Sequence, residues 1–152
     1  MNRPSSLLIF AGVLSFCAAI FQAVIGFVPE WSAAFGAGDT LVSNPPLLLT
    51  LGLLVALLLV IFGLYGLSGA GVIRRLPLLR VGLFVIGLLY SMVGFNFIFQ
   101  LLVMLGILPS GGPIPIYILL VSFGALVAAL ADLIGLAVNW KRLSIKPAPA
   151  VS

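Results

Sequence analysis

Four long apolar runs alternate with short segments that carry Pro, Gly and most of the polar residues. The runs lie near 6–28, 47–70, 78–105 and 115–139. About 20 helical residues cross the ~30 Å hydrocarbon core of a bilayer, so each run is long enough to span it. The breaks read "VPEW", "SNPP", "GAGVIRRLP" and "LPSGGPIP". These are turn and helix-end signals. The pattern predicts an all-α integral membrane protein, an antiparallel four-transmembrane-helix bundle that forms a single domain over residues 6–143. Residues 1–5 are expected to be a short amino terminus, and 144–152 a Pro-bearing mobile tail.

Composition sharpens this picture. Of 152 residues, 63% are apolar and only 7% charged, with a mean hydropathy of +1.38. A soluble domain carries about 25% charged residues. The apolar stretch of the first run is about 22 residues, longer than the 7–15 of a signal peptide. "LSFC" at 14–17 puts bulky Phe16 where a lipoprotein cleavage box needs a small residue, so this run is expected to stay uncleaved. There is no histidine, and Cys17 is the single cysteine. A zinc site needs several ligands in one place, and a disulfide needs two thiols. No metal and no cofactor are expected, and Cys17 reads as a small apolar residue.

The net charge of +4 is explained by its placement. Arg3, Arg74, Arg75, Arg80, Lys141, Arg142 and Lys146 fall at the amino end, in the second break or at the carboxyl end, while Glu30 and Asp39 fall in the first break. The positive-inside rule then puts both termini in the cytoplasm, and a bacterial cytoplasmic (inner) membrane is the expected location. The charge therefore points to membrane lipids as partners, not to nucleic acid. Arg74, Arg75, Arg80, Lys141 and Arg142 are placed to meet anionic headgroups. Trp31 and Trp140 read as interfacial anchors on opposite sides.

Few polar groups lie inside the runs. At 1.5 Å per residue, Asp132 is about 13 Å from the level of Lys141. Tyr65, Tyr90, Ser91 and Ser15 fall at similar depth, which defines one candidate polar or proton-carrying layer. Gln22, Asn96 and Gln100 form a second layer, expected to join helices or to line a polar pocket open to the outside. Ala11, Ser15, Ala19 and Ala23 recur every four residues in span one, and Gly124, Ala128 and Asp132 do so in span four, followed by Gly135 and Asn139. Small residues let helices approach closely in lipid, so these two faces are expected to meet. Asp132 should then face protein. With no cation at its depth, it is expected to be neutral and hydrogen-bonded to a hydroxyl. An aspartate at mid-span costs about 2.5–3.5 kcal/mol on insertion scales and is a functional candidate by default. In the 29–46 loop, Trp31 and Phe35 are four apart, as in an amphipathic turn on the membrane surface, a lid or a docking loop.

In size and span count the chain resembles small multidrug transporters, leukotriene-synthase-like membrane enzymes, disulfide-forming quinone reductases and DoxX-like proteins. The first need a carboxylate in span one, the second Arg, Asn and Glu within the helices, and the third cysteine pairs. This sequence has none of these features, and no motif decides the fourth. Span count alone is not a function. The leading expectation is a non-catalytic accessory, assembly or scaffold protein of the inner membrane, as a homo-oligomer or part of a larger membrane complex. The alternative is a small proton-coupled transporter or lipophilic-ligand binder that works as an oligomer. A membrane enzyme comes third, with acid–base options limited to Asp132, Tyr65, Tyr90 and the loop acids.

Overall fold

The computed structural model describes residues 5–35, 37–109 and 114–144. The expected mobile tail beyond residue 144 lies outside the described residues. Four helices are long and apolar enough to cross a membrane: α1 (Ser6–Phe27), α4 (Pro45–Ala70), α5 (Leu79–Met104) and α6 (Ile116–Val138). Three short helices complete the chain: α2 (Pro29–Ala34), α3 (Asp39–Val42) and α7 (Trp140–Ser144). No strand occurs among the described residues.

The helix ends follow from local chemistry. Pro29 and Pro45 open α2 and α4, where the missing N–H is not needed. The Asn44 side chain caps α4 by accepting from Leu47 N at 3.4 Å. At its other end α4 closes on Gly71, at φ +83°. Val72 N then bonds Leu67 O, and Gly71 N bonds Ser68 O. This is the glycine-dependent left-handed stop. Pro77 stands just before α5 rather than in its first turn, because Leu78 takes a left-handed φ of +51° to start the helix.

The long helices associate in pairs, α1 with α4 and α5 with α6. Glycine sets the spacing within each pair. A Cβ on Gly66 would lie 2.9 Å from Gly12 Cα and 3.0 Å from Leu8 O. One on Gly52 would lie 3.1 Å from Gly26 Cα, and one on Gly94 only 2.6 Å from Leu126 Cα. Backbone therefore rests on backbone. The small face of α1 was expected to meet that of α6, but its closest approach is to α4. The physical reason is that Gly12 and Gly26 present no Cβ to the glycines of α4, and so allow a shorter distance than an Ala/Ser stripe does. α1 does also contact α6, as expected, and there Gly135 and Asn139 of the expected α6 face meet Leu8 and Ser5. Leu8 sits over Gly135, and Asn139 Nδ2 donates to Ser5 Oγ at 3.0 Å.

The two ends of the bundle differ. The basic end carries the second break and α7, and the loop end carries α2 and α3. Leu8, Leu79, Leu83 and Leu136 fill the basic half, and Phe62, Ile86, Tyr90 and Ala128 fill the middle. At the basic end, guanidinium groups donate to backbone carbonyls in the short helix α7 and the last turn of α4. Arg142 Nη2 bonds Gly69 O in the last turn of α4 at 2.8 Å. Arg75 Nη2 bonds Arg142 O at 2.8 Å, and Arg80 Nη2 bonds Trp140 O at 2.7 Å. Arg80 also stacks on the Trp140 ring, 4.5 Å from its centroid.

Candidate functional site

In the loop half, the seam between the two helix pairs is hollow. The cavity there has a volume of about 740 Å³, within the ~300–1,000 Å³ range of small-molecule sites. Its walls are Leu14, Ala18 and Phe21 of α1, Leu51, Val55 and Leu59 of α4, and Gly124, Ala125 and Ala128 of α6. From α5 only Tyr90 and Val93 reach it. Ser32, Phe35 and Leu41, from α2 and the residues after it, close the loop end.

The hollow follows from where α5 goes. In the basic half and the middle, α5 packs on α4. Tyr65 lies against Gly82, Leu83 against Gly69, and Phe62 meets Tyr90 edge-on at 5.7 Å. Beyond Tyr90, α5 keeps to α6 instead. Gly94 abuts Leu126, Phe97 packs on Phe123 at 5.2 Å, and Gln100 Nε2 donates to Ser122 Oγ at 3.3 Å. The wall between α4 and α5 is therefore thin, and Val55 and Val93 on its two sides are exposed. The opposite side is tied shut, since the Phe35 ring packs on Phe21 at 5.1 Å and on Tyr117 at 4.7 Å. Ser32 is buried and anchors α2 to the end of α1 by donating to Ile25 O at 2.8 Å.

The floor is polar. Tyr90 Oη donates to Ser15 Oγ at 2.8 Å, and Ser15 Oγ donates to Ala11 O at 2.9 Å. One turn beyond Ala128 lies Asp132, 2% exposed. It faces α5, with its Cβ 3.7 Å from where Gly87 would carry one. A hydroxyl was expected to hold Asp132, yet its carboxyl forms no hydrogen bond among the described residues. The hydroxyls of that layer are engaged elsewhere. Ser15 and Tyr90 serve each other, Ser91 Oγ bonds Gly87 O at 2.7 Å within its own helix, and Tyr65 Oη reaches Pro77 O at 3.2 Å.

The second expected layer is divided among three environments. Gln22 lines the cavity, Gln100 joins α5 to α6, and Asn96 is exposed on the surface of α5. Gln100 Oε1 is buried without a hydrogen-bond partner. Trp31 and Trp140 are each about half exposed, one at each end of the bundle. Arg74 and Lys141 are exposed at the basic end. Among the described residues, no three His, Cys, Asp or Glu side chains gather as a metal site would require.

Sequence reading missed the cavity walls. Gly124 and Ala128 share a stripe with Asp132 and read as packing surface, and Ser32 stood in a loop with no partner in view. Periodicity reports which residues share a face but not whether another helix covers that face. Comparison with protein-family models, curated proteins and solved structures gives no significant match.

Proposed function

We propose that this protein binds a lipophilic molecule within the membrane, in the cavity at the loop end. The observation that carries this reading is the cavity itself, apolar on all four helices, floored by Tyr90 and covered by α2 and the segment after it. The setting is an antiparallel bundle in a bacterial cytoplasmic membrane, with both termini inside. Its support is the cluster of Arg74, Arg75, Arg80, Lys141 and Arg142 at one end. The cavity then lies in the outer half of the bilayer, and a ligand enters sideways between α4 and α5, past Val55 and Val93. Lipid tails are as apolar as these walls, so transfer from lipid gains little hydrophobic energy. Shape and a few polar contacts supply the selectivity.

A hexadecane with a mid-chain diazirine tests this reading in the full-length protein reconstituted in nanodiscs. Light should attach it to the cavity residues of α4 and α6, located by peptide mass spectrometry. Gly124 lines the cavity, and a Cβ there would meet nothing within 4 Å. Gly124→Phe should therefore fill the space, keep the fold and reduce labelling at least tenfold. Undiminished labelling in that variant would overturn the reading.

A second reading, assembly with another membrane helix, rests on Asn96. Its amide is exposed on a surface otherwise formed by groups such as Met92, Phe95 and Phe99. Amides join helices across such surfaces by hydrogen bonding. Asn96→Leu should abolish oligomers seen by cross-linking in native membranes, and a wild-type cross-linking pattern in that variant would remove this reading.

A further inference from the structure

We propose that the cavity selects an uncharged long-chain hydrocarbon bearing a hydroxyl, an alcohol rather than a fatty acid or a bare alkane. The inference rests on the reading of the cavity as a lipophile site and concerns which chemistry it accepts.

Donors and acceptors along the wall decide the matter. Two of the residues that line the cavity, Tyr90 and Ser32, carry hydroxyls. A hydroxyl has one proton and two lone pairs. Tyr90 gives its proton to Ser15 Oγ, and Ser15 cannot return one because its own goes to Ala11 O. Ser32 gives its proton to Ile25 O. Both hydroxyls can therefore only accept from a ligand, whichever way round it lies. Gln22 is the one amide side chain in the wall, and no Lys, Arg or His lines it.

Each ligand class meets this lining differently. A carboxylate or phosphate head carries acceptors and a negative charge. At the floor it would face acceptor oxygens, and elsewhere only the neutral Gln22 amide and Cys17 thiol could donate to it, with no cation to pair with and the Asp132 carboxyl just beyond the floor. A buried anion without partners is strongly disfavoured. A bare alkane fits the walls but leaves the acceptors of the floor unused. An alcohol supplies the missing donor. The buried floor is the better place for its head, because a hydrogen bond there is shielded from competition. Tyr90 Oη is the acceptor, and the hydrocarbon runs from there toward Phe35 and Leu41.

The diazirine-hexadecane probe supplies the test, through competition in nanodiscs by hexadecanol, hexadecanoate, hexadecane and hexadecyl methyl ether. Hexadecanol should displace the probe at roughly tenfold lower concentration than the other three, the ratio expected for one buried hydrogen bond. Tyr90→Phe keeps the ring against Phe62 and removes the oxygen, so the preference for hexadecanol over hexadecane should vanish. A second variant guards against misfolding of the first. Ser15→Ala releases the Tyr90 proton, so the ether, which only accepts, should gain and its gap to the alcohol should narrow. Displacement by hexadecanoate equal to that by hexadecanol, or an alcohol preference that survives Tyr90→Phe, would overturn the inference and leave the lipophile reading standing. Absence of probe from the cavity in the wild-type protein would overturn both.

Discussion

Gly66 and Gly124 are the same residue in two strongly apolar helices, yet they have opposite surroundings. A Cβ on Gly66 would collide with the backbone of α1 at 2.9–3.0 Å. One on Gly124 would meet nothing within 4 Å. The first glycine exists to let two helices touch, and the second opens onto a cavity. The contrast extends to the regions around them. In the basic half, leucines and Tyr65 fill the seam between the helix pairs, whereas in the loop half Ala18, Gly124 and Ala125 border empty space. A small residue in a membrane helix thus marks close approach only where another backbone comes to meet it.

A one-carbon change at each position should separate the two roles. Gly66→Ala carries the larger effect. The added methyl must push α1 and α4 apart, and overpacking of this kind costs about 1–3 kcal/mol, seen as a lower midpoint of thermal unfolding in detergent. Wild-type stability in that variant would break the comparison. Gly124→Ala carries the smaller effect and the opposite sign. The methyl meets no neighbour, and replacing glycine inside a helix stabilises by up to about 1 kcal/mol. A loss of stability at Gly124 would show that a backbone does reach it.

The four long helices were legible in the sequence because length and apolarity alone identify a span. Their observed ends lie within two residues of the expected runs. Pairing was less legible. The Ala11–Ser15–Ala19 stripe pointed α1 at α6, while the residues that set the distance were Gly12 and Gly26 against α4. Sequence spacing assigned the polar residues an expected depth but not a direction. Ser15 and Tyr90 meet, Tyr65 turns toward the second break, and Asp132 faces Gly87. Helix rise gives depth from residue number, but direction depends on how each helix is rotated in the bundle, which sequence spacing leaves open. The arginines illustrate a further gap. Their placement suggested orientation and contact with anionic headgroups, yet Arg142 and Arg80 also bond backbone carbonyls from distant parts of the chain.

Pairing of α1 with α4 and of α5 with α6 has a consequence for biosynthesis. In chain order, each pair joins consecutive long helices, so the first pair can close before the second has left the ribosome. Contacts between near neighbours in sequence form fastest. If the two pairs form first and then dock, the cavity lies on the surface where they dock. A molecule that fits there but binds neither half alone shifts the docking equilibrium by mass action, in proportion to ln(1 + [L]/Kd). Such a molecule would be a component of the finished assembly as well as its cargo.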